Sequence, residues 1–180
     1  CLVGSEMCIR DSSNWYPNVA VSEKNLRYAH ILMPDFASAA SEMTTVHQYL
    51  FQSWTISNDY QGIRRLIQRM AVVEQHHFSI LWQRITLLGA QPECRSSEPE
   101  SYWCGDMVNY SCDVRTLLSI NAESERFAAK AYADQAQEIK DPLVSKMLAR
   151  LSLDEELHCK IFSDFLAQIE CLYYYIKKAP

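Results

Sequence analysis

A chain of 180 residues is long enough for one compact domain and short for two. Its 48% hydrophobic and 22% charged composition excludes a disordered chain, and no apolar stretch approaches the ~18 residues of a bilayer span, so no membrane partner is expected. A net charge of -5 without a basic cluster argues against nucleic acid, and four glycines leave little material for a phosphate-cradling loop or a sheet of hairpins.

Residues 1–12 have neither the cationic start and apolar stretch of a secretory signal nor a helical or strand period. They read as a translated adapter, a non-native leader; the alternative is a native N-terminus without packing. Residues 13–33 form an N-terminal extension in which Trp15, Tyr16 and Tyr28 are candidates for a contact that wraps the rest of the chain or a neighbouring subunit.

Helical periodicity predicts four long helices over about residues 34–57, 60–89, 113–139 and 142–170, together one domain at 34–170. The first pair is separated by the turn cluster Asn58 to Gly62 and the second by Lys140-Asp141-Pro142, where Asp141 suits an N-cap and Pro142 the first helical position. Between Gly89 and Cys112 the period is lost, Pro92 and Gly105 intervene, and a long loop is expected. At ~3.3 Å per residue such a loop can run the length of a bundle, so the expectation is an all-α four-helix bundle with a long crossover between helices 2 and 3. Residues 171–180 form a C-terminal tail, either a frayed helix end or a partner-contact surface.

The cysteines, at positions 1, 8, 94, 104, 112, 159 and 171, are odd in number and form no C-x-x-C pair. Neither a zinc knuckle nor a disulfide framework is signalled, and a cytoplasmic setting is the expectation.

Two Glu-x-x-His motifs fall in mid-helix, Glu74 with His77 and Glu155 with His158; at i, i+3 each pair shares one helical face and can ligate a common metal cluster. Each has a matching upstream acid: Glu42, followed seven residues later by Tyr49, precedes Glu74 by 32 residues, and Glu125, followed seven residues later by Tyr132, precedes Glu155 by 30. In two antiparallel helices the partners lie at one depth if the turn is halfway, and both turn clusters are halfway.

Steps of three and four residues place Glu42, Glu74, His77, Glu125, Glu155 and His158 in otherwise apolar stripes such as Leu148, Leu151, Phe162 and Phe165. The faces through Glu123 and Glu156 carry other polar residues, so those acids are expected in solvent. His76 shares its face with Arg69 and Gln83, and His47 lies ~140° around the helix from Glu42, so neither is expected to be a ligand. Burying an uncompensated carboxylate costs several kcal/mol, and no Lys or Arg lies on these stripes. Two divalent ions would balance four glutamates with both imidazoles neutral. Tyr49 and Tyr132 are either hydroxyl donors to the acids or plain core aromatics. Asp154 could accept the free ring N–H of His77, a position taken by Val73 in the first motif.

On these motifs, and on Met33 to Ala37, Leu88 to Pro92 and Tyr102-Trp103, the chain resembles the ferritin-like superfamily, specifically the rubrerythrin-type and manganese-catalase-type bacterial proteins, over about residues 25–170. The resemblance implies two divalent transition-metal ions, Mn or Fe, ligated by Glu42, Glu74, His77, Glu125, Glu155 and His158, with Glu74 and Glu155 as bridging and catalytic carboxylates. It also implies hydrogen peroxide as substrate. Rubrerythrins add a C-x-x-C iron domain that supplies electrons, a motif this sequence lacks, whereas a dimanganese catalase needs no external reductant; disproportionation of peroxide is therefore the leading expectation. The alternatives are a di-iron peroxidase or ferroxidase served by a separate electron donor, and an iron-storage or spore-coat structural protein. All-Glu/His ligation suits both metals, and the resemblance leaves a homo-oligomer open.

Overall fold

The computed structural model describes residues 16–95 and 102–178, apart from the side chains of residues 172 and 175–178. The leader and Trp15 lie outside the described residues. Among the described residues five α-helices follow in chain order: α1 (Leu26–Phe36), α2 (Glu42–Thr55), α3 (Gln61–Leu87), α4 (Val114–Glu138) and α5 (Pro142–Lys178). Helices α2 to α5 form the expected four-helix bundle, as the hairpins α2/α3 and α4/α5, and α1 packs chiefly on α3.

Local chemistry sets the helix ends. Asp113 caps α4 by accepting from Thr116 N at 2.9 Å and Thr116 Oγ1 at 2.7 Å. Asp141 caps α5, its Oδ1 accepting from Leu143 N at 2.9 Å and its Oδ2 from Ser22 N at 2.7 Å, with Pro142 opening the helix. Gly89, at φ 99°, ends the α3 segment in a left-handed conformation that a side chain would strain.

The expected first helix, 34–57, is two helices. Ser41 caps α2 through Thr44 N, while Ser41 Oγ and Thr44 Oγ1 donate to Ser38 O at 2.7 and 2.5 Å. These serine and threonine contacts compete with the helical ladder and break it between Phe36 and Glu42. Pro34 lies inside α1 rather than at a helix start. At the other end α5 runs on to Lys178, through most of the segment read as a tail.

The core falls into two apolar clusters. One contains Leu32, Phe36, Ile80, Leu81, Ile85, Met147 and Leu151; the other contains Ile63, Ile67, Met70, Leu117, Leu118, Phe162 and Ile169. Along α3 and α5 the intervening positions are Glu74, His77, Glu155 and His158. The bundle therefore has a polar layer between two apolar halves, and burial of the halves positions that layer.

The crossover is fastened to α2, with Trp103 Nε1 donating to Thr44 Oγ1 at 2.8 Å and Asn109 N to Gln48 Oε1 at 2.9 Å. The segment before α1 is tied to the bundle by Arg84 Nη2 donating to Asn18 O at 2.9 Å and by Asn25 N donating to Leu88 O at 2.9 Å. These bonds lead the chain back to the polar layer, where Tyr16 enters.

Candidate metal centre

Every bundle helix sends acid into the polar layer: Glu42 from α2, Glu74 and His77 from α3, Glu125 from α4, and Glu155 and His158 from α5, all buried. His77 Nδ1 lies 3.0 Å from Glu74 Oε2 and 2.9 Å from Glu155 Oε1; His158 Nδ1 lies 2.7 Å from Glu74 Oε1 and 3.1 Å from Glu155 Oε2. The two imidazoles face one another, 6.0 Å apart and 22° from parallel. Two sets of donors result, Glu42, Glu74, His77 and Glu155, and Glu74, Glu125, Glu155 and His158, each with its ligand atoms within 4.8 Å of one another. Glu74 and Glu155 belong to both.

The tyrosines cross the bundle reciprocally. Tyr49 of α2 donates to Glu125 of α4, and Tyr132 of α4 donates to Glu42 of α2. Burial first, and the neighbouring carboxylates second, push both phenols well above their ordinary pKa, so each remains a donor. Asp154 accepts from His77 Nε2 at 3.2 Å and from Tyr16 Oη at 2.5 Å, and pairs with Arg150 Nη1 at 2.5 Å. Burial raises its carboxyl, but these bonds outweigh it and hold the pKa at about 2. Among the described residues His158 Nε2 has no equivalent: it is buried without a hydrogen-bond partner there, and Val73 stands where α3 would supply one.

Tyr16, expected in the sequence only as a residue that wraps the rest of the chain, does wrap it, reaching the metal-centre residues themselves, and Arg150 is absent from the residues singled out there. Tyr16 touches both His77 Nε2, at 3.0 Å, and Asp154, and the Arg150 guanidinium lies 4.2 Å from its ring centroid. Arg150 could have been found as the i−4 neighbour of Asp154; nothing local marks Tyr16, whose position depends on the fold of residues 16–25. Arg150 is a buried cation beside the layer, but its charge is matched to Asp154 and does not offset the four glutamates. Of the residues set aside, Glu123 and Glu156 are exposed. His47 and His76 are exposed too; His47 packs on Trp103 and His76 against Tyr16.

Without metal the layer must hold protons instead. Burial, and then repulsion from Glu74 and Glu155, push Glu42 and Glu125 well above the ordinary carboxyl value. Burial opposes charge on both imidazoles, yet Glu74 and Glu155 outweigh it and raise His77 and His158. Burial likewise opposes charge on Glu74, which the positive imidazoles nevertheless lower. Glu74 Oε1 and Glu155 Oε1 are buried without hydrogen-bond partners, although an imidazole Nδ1 is close to each. Each Nδ1 is hydrogen-bonded to the glutamate of its own helix and close to the glutamate of the other, so four carboxylates and two imidazoles converge in one buried oxygen- and nitrogen-rich set whose chemistry fits a metal site.

The chain matches the family described as Ferritin, ferritin-like domain, over residues 37–172. It is 24% identical over 173 residues to a probable manganese catalase from Clostridium acetobutylicum, a match covering 84% of this chain and 76% of that protein. Among solved structures, KatB, a manganese catalase from Anabaena, superposes with a TM-score of 0.77 at 23% identity over 87% of this chain and 79% of that one. A second crystal structure, of KatB from Anabaena PCC7120, gives 0.78 at 23% identity over 87% and 80%. At these identities the structural likeness is one of fold.

Proposed function

The chain belongs to the ferritin-like domain family, and from that premise we propose that it is a dinuclear-metal oxidoreductase that disproportionates hydrogen peroxide to water and dioxygen. The observation that carries the reading is the sharing of Glu74 and Glu155 between two sets of donors. Glu74 and Glu155 would be shared by two ions, with Glu42 and His77 holding one and Glu125 and His158 the other. The relatives named manganese catalase favour manganese.

A bound pair of redox-active divalent ions supplies the two-electron reservoir that lets one peroxide be reduced and the next oxidised. The chain's own residues prepare for this. Asp154 takes the Nε2 proton of His77 as a hydrogen bond, which leaves Nδ1 facing Glu74 and Glu155 as a lone pair. Tyr49 and Tyr132 each engage one oxygen of a terminal glutamate and leave the other to coordinate. The apolar clusters on both sides exclude bulk water from the layer. A cavity of about 310 Å³ between α2 and α4, lined by Glu42, Glu125 and Glu155, supplies an entry for a molecule as small as peroxide.

The test is to purify the protein, measure bound manganese and iron, and follow dioxygen release from hydrogen peroxide with no reductant present. Dioxygen evolution that tracks manganese content is expected. Turnover only with an added electron donor would replace this reading by a peroxidase, and metal uptake without peroxide turnover would replace it by storage or structure.

A further inference from the structure

Asp35, near the C-terminal end of α1, lines the cavity that reaches Glu42. It is held by one bond, Gln135 Nε2 donating to its Oδ1 at 3.0 Å, while Oδ2 is buried without a hydrogen-bond partner. Gln135 Oε1 is also buried without one, so the amide gives Asp35 no second bond. The cavity presents Asp35 with Glu42 from α2, Glu123, Glu125 and Tyr132 from α4, and Glu155 from α5, and with no lysine or arginine. Burial raises the Asp35 carboxyl, against the Gln135 bond, to about 7. A carboxyl so placed exchanges its proton at neutral pH, outside the six residues assigned to the metals.

We propose that Asp35 is a proton-exchanging residue for peroxide in the cavity between α2 and α4, holding a proton released in one half-reaction for use in the other. This rests on the peroxide reading above. Oxidation of one peroxide to dioxygen releases two electrons and two protons, and reduction of a second to two waters consumes the same numbers. The electrons would be held by the metals, the Asp35 carboxylate takes up one of the protons as a carboxyl group and returns it, and the second proton is released to solvent in the oxidation and taken back from solvent in the reduction.

Asp35→Asn keeps the size of the side chain and an acceptor for Gln135 but cannot exchange a proton. With bound metal per chain as in the wild type, kcat/KM should fall by ~10²-fold, within the usual contribution of a general acid–base group. The wild-type pH profile should inflect near 7, the Asp35→Asn profile should lack that inflection, and Asp35→Glu should restore it. In the metal-free protein, the carboxyl infrared band lost near pH 7 should be absent from Asp35→Asn. An active enzyme whose Asp35→Asn variant keeps the wild-type rate and pH profile overturns the proposal and leaves the peroxide reading intact. Metal loss in the variant overturns it in favour of a structural role. A metal-loaded wild type with no peroxide turnover overturns the peroxide reading and the proton role together. Absence of a band assignable to Asp35 near pH 7 overturns the proton role alone.

Discussion

Asp154→Asn should weaken one half of the centre and spare the other. Asp154 accepts from His77 Nε2 at 3.2 Å, and among the described residues no group does the same for His158 Nε2. Removing the carboxylate behind a ligating histidine typically lowers metal affinity ~10 to 100-fold, about 1.4 to 2.7 kcal/mol. The loss should fall on the ion shared by Glu42 and His77, leaving the ion beside Glu125 and His158 at wild-type affinity. The substitution also removes the carboxylate that pairs with Arg150 at 2.5 Å, a guanidinium whose side chain is 5% exposed. Breaking a buried ion pair from one side costs about 3 to 5 kcal/mol, so the variant should melt at a lower temperature, and adding Arg150→Met should recover part of the loss. A chelator competition titration resolves the two ions: the wild type should show two tight sites, and the variant one tight and one weakened site. Equal weakening of both, or of neither, would refute the assignment of Asp154 to the His77 half.

Glu74→Ala removes a carboxylate common to both sets of donors and should abolish peroxide turnover and lower bound metal at both positions; full metal retention by elemental analysis would count against bridging. Because Glu42, Glu125, His77 and His158 are all raised in the metal-free protein, folding binds protons, and metal-free stability should fall as pH rises. The fall should begin above the ordinary carboxyl value of 4.5 and steepen above the ordinary histidine value of 6.5, as read from thermal melts across pH. Metal loading expels the same protons, about four per pair of ions if all four groups start protonated, so metal affinity should rise with pH and a weakly buffered titration should acidify. Phe162→Ala, in the apolar half beyond His158, should cost about 3 to 5 kcal/mol by denaturant unfolding.

The bundle could be read from the sequence because its evidence is local and repeated. Asp141-Pro142 marks one turn, Asn58 to Gly62 the other, and the unpatterned stretch before Cys112 can only be a long connection. The layer could be read because acids interrupt apolar stripes at matched depths. Residues whose roles depend on distant contacts escaped. Tyr16 reaches Asp154 only because Arg84, Asp141 and Leu88 hold residues 18–25 against the bundle. Helix α1 was missed because Pro34 looks like a helix start, whereas the actual boundary is the hydrogen-bonded turn at Ser38 to Ser41. Asp35 lies in the Met33 to Ala37 stretch that carries the resemblance but had no role there, since its distinguishing property is burial beside a cavity that forms when α1, α2 and α4 come together.

The central claim is that one layer of side chains from four helices holds two ions. Anomalous X-ray diffraction from metal-loaded crystals tests it directly. Two peaks are expected, each within coordination distance of both Glu74 and Glu155, one bounded by Glu42 and His77 and the other by Glu125 and His158. A single peak, or ions bound away from Glu74 and Glu155, would contradict it.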